Sequence, residues 1–176
     1  MRWLRIVIAA FILVLVETTF LPVVAVNGVR PDLAFILVVF LAFYTTPAEG
    51  FVAFWLVGLM KDIFSAGPLG AYALIYAACG YELSGLTQKL FRENPLSQIA
   101  LALPATMAVN VIYLIAMVFV YYPQVVISSA LKSALICAVY TTALVPPLLF
   151  VMAKIRFVLG IRPQPVLDVN AKGQGS

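Results

Sequence analysis

The amino-acid sequence predicts an all-α polytopic membrane protein with six transmembrane helices. Apolar residues make up 64% of the 176 residues and charged residues only 10%, whereas soluble domains average about 45–50% and about 25%. A chain of this length has no interior large enough to hide that much apolar surface from water. The few charges also separate long uncharged stretches, of which the longest runs from 94 to 131.

A helix needs about 20 residues to cross the roughly 30 Å of hydrocarbon in a bilayer. Six spans satisfy that requirement approximately, and in chain order they are 4–26, 31–46, 47–65, 69–90, 98–121 and 129–155. Residues 1–160 are therefore predicted to form one transmembrane domain. The segment 161–176 is polar and contains prolines, which predicts a flexible cytoplasmic tail.

The basic residues predict the orientation of these spans. If the N-terminus is cytoplasmic and the chain crosses six times, the cytoplasmic ends hold eight Lys and Arg residues and the outer side holds three. An excess on the cytoplasmic side is the usual pattern of membrane proteins, so both termini are expected in the cytoplasm. The eight are Arg2, Arg5, Lys89, Arg92, Lys154, Arg156, Arg162 and Lys172, and the three are Arg30, Lys61 and Lys132.

The first span contains Glu17, 12 residues after Arg5 and therefore about 18 Å along the helix. An ionised carboxylate near the bilayer centre costs at least about 2.5–3.5 kcal/mol on insertion scales. Glu17 is thus either a proton-linked or ligand-binding group, or a protonated acid that hydrogen-bonds to another helix with help from Thr18 and Thr19. The basic start and short apolar core also resemble a cleavable signal peptide, although Glu17 fits that interpretation poorly.

The second and third spans each begin with proline and an acid. Pro31 suits a first helical turn, and Asp32 meets the positive end of the helix dipole. Pro47 and Glu49 repeat that arrangement at the third span. Residues 31–46 give a helix of only about 24 Å, so a full crossing and a re-entrant hairpin both remain open. Crossing is favoured because a hairpin tip would leave backbone groups unsatisfied in lipid.

The ends of the third and fourth spans carry charged residues near the interfaces. Lys61 and Asp62 are expected to extend toward the outer headgroups as anchors. The turn-forming run Gly67-Pro68-Leu69-Gly70 separates the two spans. Glu82 is expected to be a partly wet carboxylate that extends toward the cytoplasmic side.

The last spans carry features of helix packing. A small residue every four positions lets another helix approach closely, as in Ala130, Ala134, Ala138 and Thr142, and in the shorter pair Gly80 and Ser84. Prolines are expected to kink the fifth helix at Pro104 and the sixth at Pro146 and Pro147. Asn110 lies mid-helix and needs a hydrogen-bond partner in lipid.

The sequence predicts neither an enzyme nor a cofactor site. It has no histidine, and it shows no glycine-rich phosphate loop, nucleophile elbow, metal-ligand spacing or pair of acids at matched depth. Cys79 and Cys137 lie in apolar runs and are expected to be buried thiols. The basic residues are scattered singly, so nucleic acid is not an expected partner.

Several motifs together resemble the MreD family of bacterial inner-membrane, rod-shape-determining proteins. The run that begins Val29-Arg-Pro-Asp-Leu is followed by Pro47-Ala-Glu-Gly and then by Gly58-Leu-Met-Lys-Asp-Ile-Phe-Ser-Ala-Gly-Pro-Leu-Gly70. Lys61 stands where a small or apolar residue is more usual in that pattern. The matching positions are Arg30, Pro31, Asp32, Glu49, Gly50, Asp62, Gly67, Pro68 and Gly70.

This resemblance implies a non-enzymatic scaffold subunit of the cell-elongation complex, which directs lateral-wall peptidoglycan synthesis. The implied partner is the bitopic protein MreC, and through it the actin-like MreB, a RodA-type glycosyltransferase and a class-B penicillin-binding transpeptidase. Gly80, Ser84, Ala130, Ala134 and Ala138 are candidate contacts for the MreC helix or for internal packing. The family's six helices look similar to the substrate-binding subunits of energy-coupling-factor vitamin transporters. The alternative function is accordingly a small-molecule-binding or transport subunit with a cavity near Glu17 and Asn110.

Overall fold

The computed structural model describes residues 2–20, 25, 29–65, 67–87, 95–120 and 127–159. Within these ranges the chain is all-helical, as predicted. The six helices are α1 (Arg2–Phe20), α2 (Leu33–Tyr44), α3 (Pro47–Phe64), α4 (Ala71–Thr87), α5 (Pro95–Val120) and α6 (Ile127–Leu159). The predicted tail, 161–176, and the basic segment with Lys89 and Arg92 lie outside the described residues.

Two of the described helices are long and apolar enough to cross a membrane. They are α5 over Gln98–Val118 and α6 over Ser129–Met152. Only 17% and 33% of these stretches are buried inside the protein, whereas the core helix of a soluble protein is hidden from solvent. Large apolar side chains are also exposed along α1, among them Leu4, Ile8, Phe11, Ile12 and Leu15. Such surfaces match a lipid environment.

Helix α2 lies at the centre of the molecule. All of its residues from Leu33 to Phe43 are buried, and it packs against α1, α3, α4 and α6. It has 12 residues and is about 18 Å long. This helix is shorter than the predicted 31–46 because Asp32 caps its start and Thr45 ends it, with the Thr45 N–H donating to the Leu41 carbonyl at 2.9 Å. The full crossing of this segment stays a prediction.

Helices α3 and α4 form the closest pair in the fold. At Gly58 a Cβ atom would lie 2.5 Å from the Cα of Ala73 and from the carbonyl oxygen of Tyr72. Only glycine permits that approach of two backbones. The predicted turn between the helices is present, and Gly70 adopts a positive φ of 95°, a conformation that glycine tolerates best.

Side-chain hydrogen bonds fix the opposite end of α2 against α4. Ser84 donates to the carbonyl of Thr45 at 2.7 Å, and Thr87 donates to that of Ala42 at 2.8 Å. Carbonyls at a helix C-terminus have no hydrogen-bond partner within their own helix. The hydroxyls of Ser84 and Thr87 supply that hydrogen bond to the carbonyls of Thr45 and Ala42.

Helix α6 packs against α5, α2 and α1. The hydroxyls of Thr106 on α5 and Thr142 on α6 lie 3.2 Å apart and are buried. Ala134, Ala138 and Thr142 are likewise buried, so most of the predicted small-residue face lies inside the protein. Both helices continue through their prolines.

Candidate functional site

The most polar part of the described interior is centred on Lys61, in the last turn of α3. Its Nζ atom lies 3.0 Å from Oε1 of Glu17 on α1 and 2.6 Å from Oδ1 of Asp32 at the start of α2. The three side chains are only 12%, 15% and 8% exposed. One ammonium group therefore joins three helices through two charge-assisted contacts.

Both carboxylates also accept hydrogen bonds from the first turn of α2. The Phe35 N–H donates to Asp32 Oδ1 at 2.9 Å, which is the predicted helix cap, and the Ala34 N–H donates to Glu17 Oε2 at 3.2 Å. The helix N-terminus carries about half a positive charge. Two carboxylates and one ammonium leave an excess of negative charge, and the positive end of the helix dipole offsets part of it.

Two further side chains complete the surroundings of Asp32. The Tyr76 hydroxyl on α4 donates to Oδ2 at 2.5 Å, and the Asp32 N–H donates to the hydroxyl of Thr141 on α6 at 2.9 Å. Tyr76 is fully buried. Lys61 Nζ also lies 4.9 Å from the centre of the Tyr72 ring, a distance suitable for a cation–π contact.

The polar layer extends to α5. The rings of Tyr72 and Tyr113 stack with their centres 4.2 Å apart. On the α6 side, the Cys137 thiol donates to the carbonyl of Arg30 at 3.2 Å, and Asn110 of α5 lies close to that thiol. Every helix therefore contributes to one layer of polar contacts, which we call the polar layer and which consists of Glu17, Asp32, Lys61, Tyr72, Tyr76, Asn110, Tyr113, Cys137 and Thr141.

The polar layer leaves no buried polar atom open for a ligand among the described residues, since each buried side-chain nitrogen and oxygen there has a partner. Asn110 also donates to the carbonyl of Thr106 at 2.8 Å. The described residues likewise contain no group of three or more His, Cys, Asp or Glu residues placed to hold a metal ion. The contacts of the polar layer join side chains from different helices.

Asp62 performs a separate task beside this layer. Its carboxylate accepts the backbone N–H groups of Gly70, Tyr72 and Ala73 at 3.1, 3.0 and 2.9 Å. These groups belong to the start of α4, where N–H groups have no helical partner. Asp62, only 1% exposed, therefore joins the end of α3 to the beginning of α4.

The prediction that Lys61 and Asp62 extend toward the outer headgroups is wrong. Asp62 is buried and the Lys61 side chain is only 12% exposed, because each has charged or backbone partners inside the fold that replace the water it loses. The prediction that these adjacent residues do not pair with each other agrees with the structure, in which they contact different groups. Their position at a span end suggested the interface, and only the tertiary structure shows the partners.

The partners predicted for Glu17 are also corrected. The sequence showed no second buried carboxylate opposite Glu17, yet Asp32 shares its ammonium partner. Thr18 does not assist, because its hydroxyl donates to the carbonyls of Val14 and Leu15 on its own helix. Asp32 itself exceeds its predicted capping role, since it also binds Lys61 and Tyr76.

The remaining motif positions are structural in the described fold. Pro31 is buried and precedes the cap, so it lies just outside α2 rather than in its first turn. Pro47 and Glu49 occupy the first turn of α3, as predicted. At Gly50 a Cβ atom would lie 2.6 Å from the Phe54 ring, and at Gly67 one would lie 2.5 Å from the Tyr113 hydroxyl. Arg30 is exposed, and Pro68 lies in the turn before α4.

A second feature is an open groove lined by residues of α4 and α5 together with Phe51 of α3. It has a volume of about 590 Å³. Neither Glu17 nor Asn110 lines it, so it differs from the cavity that the sequence suggested. We call this feature the lateral groove; its other lining residues are Ala78, Cys79, Tyr81, Glu82, Leu83, Leu86, Leu101, Pro104, Ala105, Ala108 and Ile112.

The candidate partner contacts from the sequence lie elsewhere. Gly80, Ser84, Ala134 and Ala138 are buried within the chain, and a Cβ on Gly80 would lie 2.6 Å from the Phe54 ring. These four positions therefore pack this chain's own helices and are not available to another protein. Ala130 is half-buried.

The family model described as rod shape-determining protein MreD matches residues 1–155. The chain belongs to the MreD family. Its members are membrane proteins that act in determining rod shape. Among curated proteins and solved structures, none matches the chain, and the likeness to vitamin-transporter subunits stays a prediction.

Proposed function

We propose that this MreD family member is a non-enzymatic scaffold of the bacterial cell-elongation complex that binds the transmembrane helix of MreC. Through MreC it would associate with MreB, with a RodA-type glycosyltransferase and with a class-B penicillin-binding transpeptidase. It would thereby help to organise lateral-wall peptidoglycan synthesis from the inner membrane, with both termini in the cytoplasm.

The observation that carries this proposal is the family match over residues 1–155. The arrangement of polar groups supports it, because the polar layer is internally satisfied whereas the outer helix faces are apolar. Helices in lipid associate through close packing and a few polar contacts rather than through the hydrophobic effect. A scaffold with its polar groups paired in the interior and apolar outer faces suits that kind of association.

Co-purification tests the proposal. The tagged chain would be solubilised in mild detergent together with co-expressed MreC, captured, and examined by native mass spectrometry. A complex that contains both proteins is expected, and an unrelated bitopic protein serves as the control. Capture of the chain without MreC under conditions that preserve its helical circular dichroism would reject MreC binding.

The alternative, a small-molecule-binding or transport subunit, receives less support. Its predicted cavity near Glu17 and Asn110 coincides with the polar layer, where each buried polar atom of the described residues already has a partner. The same native mass spectra decide between the functions, since a bound small molecule in stoichiometric amount would favour the alternative.

A further inference from the structure

The lateral groove has the chemistry of a surface that receives another helix. Its lining is mostly apolar, and Glu82 is the one charged residue in it. Three of the lining residues are alanines, namely Ala78 on α4 and Ala105 and Ala108 on α5. Small residues let a second helix backbone approach closely in lipid. The lining residues on α5 run from Leu101 to Ile112, which is 12 residues and a rise of about 16 Å, or about three helical turns.

Glu82 is the one charged residue in that lining, and it is exposed. It makes no hydrogen bond or ion pair with another residue that the structure describes. A carboxylate at a lipid-facing surface is costly unless it pairs with a cation or reaches water. An occupant that brings a positive charge to the Glu82 end would remove the cost of this carboxylate wherever the occupant excludes water from the groove.

The position of Glu82 indicates which part of an occupant would carry that charge. It lies five residues before Thr87, the last residue of α4, or about 7.5 Å along the axis. This is the end of α4 that the basic residues place toward the cytoplasm. Transmembrane helices carry their Lys and Arg residues mainly at the cytoplasmic flank, so a helix in the groove would present its basic flank at this level.

We propose that the lateral groove holds one transmembrane helix of a partner protein, with a Lys or Arg at its cytoplasmic flank bound to Glu82. This inference rests on the proposed function, which supplies MreC as the bitopic partner, and it adds the surface and the charged contact. A lipid acyl chain would also fill the apolar part of the groove. However, its binding would not depend on the three alanines in the lining, which matter only for the close approach of a second helix.

Variants in the groove test this assignment by the amount of MreC that co-purifies. Ala108→Trp fills an exposed groove position, and Ala143→Trp makes the same change at an exposed position on α6 outside the groove. Ala108→Trp and Glu82→Lys are each expected to lower the retained MreC roughly tenfold, the loss that about 1.4 kcal/mol produces. Ala143→Trp should leave it unchanged.

Charge reversal identifies the partner of Glu82. If the contact is intermolecular, the Glu82→Lys loss is restored by a Lys-to-Glu or Arg-to-Glu change at the cytoplasmic flank of the MreC helix. Restoration by Lys89→Glu within this chain instead would show an internal ion pair and would overturn the proposal.

A crosslinking measurement covers the case in which a variant does not fold. A photoreactive amino acid at Leu86, which is exposed in the groove, should crosslink to MreC, whereas one at the exposed Leu135 of α6 should not. If Leu86 crosslinks only to lipid while wild-type protein still co-purifies with MreC, the groove assignment is overturned but MreC binding is not. Failure of wild-type co-purification would overturn both.

Discussion

The stability of this interior depends most on a single residue, Lys61, because it is the cation shared by Glu17 and Asp32. Replacing Lys61 with Met keeps most of the side-chain volume but leaves two buried carboxylates without their ammonium partner. Breaking a buried ion pair in this way typically costs about 3–5 kcal/mol. We therefore expect Lys61→Met to lower the melting temperature in detergent markedly, whereas Lys132→Met, at an exposed lysine on α6, should have little effect.

A double-mutant cycle would show whether the contact with Glu17 is responsible. Once Lys61 is Met, a further Glu17→Gln change removes one of the two uncompensated charges. The double variant should therefore be destabilised by less than the sum of the two single variants. Simple additivity would mean that Glu17 and Lys61 do not interact in the folded protein.

Tyr76 gives a second prediction at the residue scale. Its hydroxyl donates to a carboxylate oxygen of Asp32 in a fully buried position, and hydrogen bonds to charged groups contribute about 1.5–3 kcal/mol. Tyr76→Phe should lower the free energy of unfolding by about that amount. Tyr81→Phe changes an exposed tyrosine on the same helix and is the matched control. Equal stabilities for the two variants would contradict the assigned contact.

At the scale of elements, the α3–α4 pair depends on the closeness of two backbones. Gly58→Ala would place a methyl group 2.5 Å from backbone atoms of Tyr72 and Ala73, so the helices must separate. We expect a loss of about 1–3 kcal/mol, which is typical of overpacking. Gly85→Ala on α4 has open space around its Cβ and should be neutral or stabilising, because alanine is the better helix former by about 1 kcal/mol. Chemical unfolding of both variants measures the contrast.

The same elements show what the sequence could predict. The cap at Asp32, the first turn of α3 with Pro47 and Glu49, and the turn at Gly67–Gly70 follow from local residue types, because capping and turn geometry involve neighbours along the chain. The partners of Lys61 could not be predicted. They come from α1 and from the start of α2, 44 and 29 positions earlier, and no local pattern encodes that contact.

The helix-packing residues show the same limit. A small residue every four positions correctly indicated a packed face on α6, but it could not say whether that face meets this chain or another. The alanines of the lateral groove gave no such regular signal. Tyr72 and Tyr76 lie four residues apart and share one face of α4, which was a usable sign that α4 contributes polar groups.

For the whole molecule, the predicted topology rests on the distribution of Lys and Arg residues along the sequence, eight against three. Of the three residues assigned to the outer side, Arg30 and Lys132 are exposed, whereas Lys61 pairs with Glu17 and Asp32 in the interior. The positive-inside pattern counts basic residues near the ends of spans whether or not they pair in the folded protein. The orientation with both termini in the cytoplasm therefore stays a prediction on eight against three.

Cysteine labelling tests that topology and the crossing of α2. Thr46 lies between α2 and α3, and in a background without Cys79 and Cys137 a Thr46→Cys variant should react with an impermeant maleimide only when the cytoplasmic side is accessible. Labelling of Lys132→Cys from outside intact spheroplasts is the control for the opposite face. Protection of position 46 from both sides would support a re-entrant hairpin.

The central claim is that this MreD family member holds MreC within the elongation machinery of the membrane. Depletion in cells that carry fluorescent MreC tests it most directly, with cell width and MreC distribution recorded as the protein disappears. We expect the cells to round up and MreC to lose its normal distribution, and we expect re-expression to restore both. Rod-shaped cells with unchanged MreC after depletion verified by immunoblotting would contradict it.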